Sequence, residues 1–117
     1  AKYDPEGLIE FISNSKLTGF LTMFRNIDIF EFLFIDGKIV YGITSSLKSE
    51  GDNKLLKELT AEEIERLTIQ TIDILKKTEI NNFFLEEKDE STAYLDNLPR
   101  YDVNEIIEKQ KVLFNVE

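Results

Sequence analysis

Phe30-Glu31-Phe32-Leu33-Phe34-Ile35-Asp36-Gly37-Lys38-Ile39-Val40-Tyr41 is the stretch on which the fold turns. Aromatic and β-branched residues crowd both arms, and Asp36-Gly37 between them is the preferred type I′ hairpin turn, because glycine tolerates the positive φ it requires. A two-residue turn fixes register, so Ile35 is expected opposite Lys38, Leu33 opposite Val40 and Phe32 opposite Tyr41. One face of the hairpin then carries Phe30, Phe32, Phe34, Ile39, Tyr41 and Ile43, dense enough to form a core beneath a helix. The other carries Ile29, Glu31, Leu33, Ile35, Lys38, Val40, Gly42 and Thr44.

Upstream, Phe20–Phe24 reads as a further strand. With a turn at Asn26-Ile27, Leu21 and Met23 join the first face, while Phe20, Thr22 and Phe24 join the second. That second face gathers Phe20, Phe24, Leu33, Ile35 and Val40 around Thr22 and Glu31, too apolar to be left fully wet. Before the strands, Asp4-Pro5 marks a helix start, with Leu8, Phe11 and Ile12 at helical spacing. After them Ser45–Asn53 reads as a loop and Lys54–Leu59 as a first helical turn or two. Thr60 with Glu63 is a capping-box signature for a long helix to about Lys77. Its apolar arc holds Ile64, Leu67, Thr68, Thr71, Ile72, Ile74 and Leu75; Asp73 lies on the opposite arc and Ile69 is an exception on the polar side. Asn82–Glu86 reads as a short strand in which Phe83 and Leu85 alternate with Phe84, and the polar stretch Glu87–Arg100 follows. Asp102 with Glu105 opens a last helix striped by Val103, Ile106, Ile107, Gln110, Leu113 and Phe114.

The pattern predicts one α+β domain over 1–117: an antiparallel meander of three to four strands, packed with a short N-terminal helix, a long central helix and a C-terminal helix. Its expected core includes Leu8, Phe11, Ile12, Leu21, Phe30, Phe32, Phe34, Ile39, Tyr41, Ile43, Leu67, Ile74 and Ile106. Ala1 is not an initiator methionine, which fits a domain cut from a longer regulator.

Composition narrows the chemistry. The 117 residues include no cysteine and no histidine, so disulfides, the usual zinc sites, thiol nucleophiles and imidazole acid–base catalysis are excluded. Neither a membrane span nor a secretory signal is legible, and a cytoplasmic setting is expected. The net charge of −9 is lopsided. Residues 1–49 hold five basic and six acidic groups, whereas residues 50–117 hold nine and seventeen. Nucleic acid is therefore a poor partner, and a basic protein surface a better one. The adjacent carboxylate pairs Glu62/Glu63, Glu86/Glu87 and Asp89/Glu90 diverge rather than converge and read as solvated faces. Glu50-Gly51-Asp52-Asn53 fails the ligand spacing of a calcium loop, no glycine-rich phosphate loop occurs, and no serine sits in a nucleophile elbow. No catalytic, cofactor or metal residue is assigned. Surface remains, and Phe20, Phe24, Leu33, Val40 and Ile69 are the candidate interface.

Several of these features together resemble the PATAN (PatA N-terminal) family of bacterial signalling domains. They are Gly7-Leu8 in the leading helix, Thr18-Gly19 before the first strand, the aromatic-x-x-Gly-x-Ile hairpin from Phe34 to Ile39, a helix leading to the Phe83-Phe84 strand, and the closing helix that begins Asp102-Val103-Asn104-Glu105-Ile106-Ile107. The family's usual Trp and Gly before the late Phe strand are replaced here, between Leu75 and Asn82. The resemblance implies a non-enzymatic module of two-component signal transduction that binds proteins, receiver domains among them, and a homodimer is compatible with it. A small-ligand sensor, a carboxylate-based Mg²⁺ enzyme and an acidic mimic of nucleic acid are the alternatives.

Overall fold

The computed structural model of the protein describes residues 2–49, 58–77, 79–88 and 98–114. Its elements run α1 (Pro5–Ser15), β1 (Gly19–Arg25), β2 (Asp28–Ile35), β3 (Lys38–Thr44), α2 (Ser45–Ser49), α3 (Ala61–Leu75), β4 (Asn82–Glu87) and α4 (Val103–Phe114). The strands form one antiparallel sheet in the order β3-β2-β1-β4, and the fold is α+β. The helical turn expected at Lys54–Leu59 and much of the polar stretch after Glu87 lie outside the described residues. The predicted loop from Ser45 instead begins as the short helix α2, whose Ser45 Oγ accepts the Ile29 N–H at 3.1 Å.

Local chemistry sets the helix ends. Asp4 caps α1 by accepting the Glu6 N–H at 3.2 Å, Pro5 supplies a helical φ without needing a donor, and Lys16 closes the helix in the left-handed conformation. Thr60 and Glu63 exchange the reciprocal bonds of a capping box at the start of α3. In α1 the buried stripe is Pro5, Ile9 and Ile12, so Phe11, expected in the core, lies on the outer side with 60% of its surface exposed.

The hairpin forms at Asp36-Gly37, both with positive φ (51° and 77°), and pairs Ile35 with Lys38 as expected. The register then slips. Phe34 faces Ile39, but Leu33 faces Tyr41 and Phe32 faces Gly42, so Val40 is the extra residue of a β-bulge. Tyr41 and Ile43, expected on the core face, turn to the opposite face, and Gly42 and Thr44 take their places. The exchange is compatible with a full core because Gly42 leaves room for the Phe32 ring, while its N–H donates to Thr68 Oγ1 at 2.9 Å and its carbonyl accepts from Thr71 Oγ1 at 3.3 Å. These hydroxyls cover the outer edge of β3 at that point. Nearer the turn, Tyr101 covers it by exchanging two 2.9 Å backbone bonds with Ile39.

The first face of the sheet meets the helices. Phe30, Phe32, Phe34, Leu21, Met23 and Ile39 pack there with Ile9 and Ile12 of α1, Ile69, Ile72 and Leu75 of α3, and Val103, Ile106 and Ile107 of α4. Full burial of each such aromatic or aliphatic side chain contributes about 1.5–3 kcal/mol. α4 lies along α3, which explains two misreadings of the helical wheel. Ile69 is buried rather than set on a polar side, and Asp73 is buried rather than solvated, accepting a 3.0 Å bond from Gln110 Nε2. Lys76 extends this seam, donating to Gln110 Oε1 at 3.2 Å and pairing with Glu6 of α1 at 3.2 Å. Among the described residues no helix is long and apolar enough to cross a membrane.

Candidate docking face of the sheet

The second face of the sheet has no helix of comparable size laid over it among the described residues. One end is closed: Leu33, Ile35 and Val40 are buried in a small cluster with half-buried Phe20, Tyr41 and Leu98. Leu33, Val40 and Ile69 are thus corrected from interface to interior. The first two lie in this cluster, where the bulge tucks Val40 beside Leu33, and Ile69 lies under α4. Phe20 and Phe24 stay half-buried on the face where the register expectation put them.

Strand register orders the open part of the face into rows. Ile43, Glu31, Thr22 and Phe84 stand side by side across β3, β2, β1 and β4, and the next row is Tyr41, Leu33, Phe20 and Glu86. On the other side Ile29, Phe24 and Asn82 follow. Phe84 is 58% exposed and Ile29 42% exposed, a large apolar area for one sheet face. Between the first two rows lies a depression of about 440 Å³ lined by Phe20, Thr22, Glu31, Tyr41, Phe84 and Glu86. None of Phe84, Tyr41 and Glu86 is in the interface expected from the sequence, which assigns Tyr41 to the core and Glu86 to a solvated carboxylate pair. The alternation of Phe84 against Phe83 and Leu85 was the available signal, but it acquires meaning only once β4 is known to pair with β1.

The chain matches no family model, no curated protein and no solved structure. The face must therefore be read from its own chemistry. No group of three or more carboxylates able to hold a metal ion occurs among the described residues. A second apolar groove of about 270 Å³ lies between α3 and α4, lined by Ile69, Val112 and Leu113 with Glu65, Glu108 and Lys109 at its rim.

The clearest electrostatic perturbation lies beside that groove, away from the sheet face. Glu65 accepts from Tyr101 Oη at 3.2 Å and from Lys109 Nζ at 2.6 Å, and the Lys109 ammonium lies 5.0 Å from the centre of the Tyr101 ring. Burial, and then the Glu65 charge and hydrogen bond, raise the Tyr101 pKa, while the hydrogen bond to Glu65 leads in raising that of Lys109. Both groups hold their protons more tightly folded than unfolded. Their contribution to stability is complete below their ordinary values near pH 10 and is lost as pH rises through the raised folded values. Thermal melts from about pH 8 to about pH 11 should show a midpoint that falls in the upper part of that range, with a shallower fall in Tyr101→Phe. An identical alkaline slope in the variant would remove Tyr101 from the clamp that ties α3, α4 and the edge of β3 together.

Proposed function

We propose that this domain is a non-catalytic docking module of bacterial signal transduction, binding protein partners such as receiver domains through the open face of its sheet. The observation that carries the reading is the contiguous set of Phe24, Ile29 and Phe84 on one face, two of them more than 40% exposed, beside half-buried Phe20. This apolar surface is bordered on β4 by Asn82 and Glu86 and holds Thr22 and Glu31 within it, the mixture of apolar area and a few placed polar groups that protein-contact surfaces carry. The PATAN resemblance supports the signalling context.

A bacterial two-hybrid screen against receiver domains and genomic fragments of the source organism tests this. Partners of the wild type should be lost with Phe24→Asp, Phe84→Asp, whose side chains do not belong to the buried clusters, and kept with Phe11→Asp, exposed on α1. Circular dichroism must show both variants folded. Partners indifferent to the sheet variant would sink the assignment of the face.

A further inference from the structure

The depression on the open face has a composition that apolar docking alone does not explain. Glu31 stands on β2, an interior strand, in a row with Ile43, Thr22 and Phe84. Glutamate is disfavoured at such a site, since a half-buried carboxylate loses water on a surface whose neighbours give it nothing in return. Glu31 is half-buried and has no hydrogen-bond or ion-pair partner among the described residues. A threonine or valine there would serve the sheet better. The second carboxylate, Glu86, pairs with Lys88 at 2.9 Å, but both are about half exposed, and an exposed pair of this kind holds its partner weakly. The other walls are Phe20, Tyr41 and Phe84, whose ring faces are electron-rich.

Resting on the docking reading above, we propose that this depression receives a cationic side chain, arginine or lysine, carried by an extended basic segment of a protein partner. Aromatic walls with a carboxylate on the floor combine the two attractions such a group seeks, a π-face for the cation and a charge-assisted hydrogen bond for its N–H donors. Charge complementarity favours a foreign basic segment over a second copy, because the chain carries a net −9 and two copies repel. An extended segment suits the site because Phe84 and Glu86 lie on β4, an edge strand. Beyond the Tyr3–Ile80 bridge that precedes it, no strand pairs with its outer edge among the described residues, where the Phe83 N–H donates to the Asn82 Oδ1 at 2.9 Å. A strand added there would turn alternate side chains toward the depression.

The probe is a random twelve-residue peptide library displayed on phage and selected on the wild-type domain, with enriched peptides synthesised and titrated calorimetrically. Enriched sequences should carry arginine or lysine flanked by apolar residues at alternate positions. Exchanging an essential arginine for citrulline, its uncharged isostere, should weaken binding by roughly tenfold or more. Glu31→Gln should weaken the arginine peptide similarly and leave the citrulline peptide almost unchanged. The citrulline comparison uses only the unaltered domain, so it decides the matter even if Glu31→Gln is unstable. Peptides that bind equally with citrulline but are lost with Phe84→Asp would overturn the cation site and leave the docking face standing. Failure to recover any peptide sensitive to Phe84→Asp would overturn both. Sedimentation showing wild-type dimers dispersed by Glu31→Gln would overturn the foreign segment in favour of a second copy.

Discussion

Replacing Gly19 by alanine is expected to cost on the order of 4 kcal/mol, a large part of the roughly 5–15 kcal/mol that stabilises a domain of this size. Gly19 opens β1 between its two neighbours, opposite Phe34 of β2 and Glu87 of β4. Its φ of 157° swings the Cβ position toward β4, where an added methyl would stand 2.2 Å from the Glu86 carbonyl oxygen and 2.9 Å from Glu87 Cα. Those are backbone atoms, and a backbone cannot turn aside as a side chain can. Either the Gly19 peptide rotates, and strains a conformation that L-residues rarely adopt, or β4 moves off. Among the described residues β1 is the only strand beside β4, so its departure forfeits cross-strand bonds worth about 1 kcal/mol each and exposes the core side of Phe83 and Leu85. Urea denaturation followed by circular dichroism measures the loss. Amide hydrogen exchange should show β4 losing protection before β2 and β3. A loss below about 1 kcal/mol, within the ordinary range of surface substitutions, would mean that the strands separate at Gly19 without cost.

Why some of this architecture was legible in the sequence and some was not has physical reasons that differ from element to element. The Asp36-Gly37 hairpin, the Thr60 capping box and the Asp4-Pro5 helix start are local rules, satisfied by residues within a few positions of one another, and each stands where the pattern put it. The bulge at Val40 is not local. Tyr41-Gly42-Ile43-Thr44 is compatible with either facing, and what selects one is the Phe32 ring on the neighbouring strand together with two hydroxyls on α3, 26 and 29 residues from Gly42 in the chain. Ile69 and Asp73 were misjudged for a related reason. A helical wheel shows a polar and an apolar side but not a second helix, and α4 buries the side that the wheel assigned to water. The candidate docking face was half legible. Phe20 and Phe24 followed from strand alternation, but the depression needs β4 beside β1, and nothing in the order of elements says which edge of a meander a fourth strand will join.

Gly42→Val should be the other large effect, at about 3 kcal/mol or more, and its cause can be isolated through Phe32. The two residues face each other across β2 and β3, and a Cβ on Gly42 would lie 2.4 Å from Phe32 Cε1 and 2.6 Å from Cδ1. The ring is fully buried against Phe34 and the helices, so it cannot swing into open space. β3 must yield instead, and in doing so it pulls the Gly42 N–H and carbonyl from Thr68 and Thr71, leaving buried backbone groups without partners at about 1–3 kcal/mol each. The milder pair Gly42→Ala and Phe32→Leu makes a double-mutant cycle. Each change alone destabilises, the first by crowding and the second by the cavity it leaves, but together the smaller side chain vacates the volume that the new methyl needs. The combined loss should fall short of the sum by about 1–2 kcal/mol. Additive losses would mean that the ring moves freely and that the bulge is set by the threonine hydroxyls alone. In that case Thr68→Val, Thr71→Val, rather than Gly42→Ala, should return Tyr41 to the core face, and an aromatic wall of the depression on the second sheet face would be lost with it.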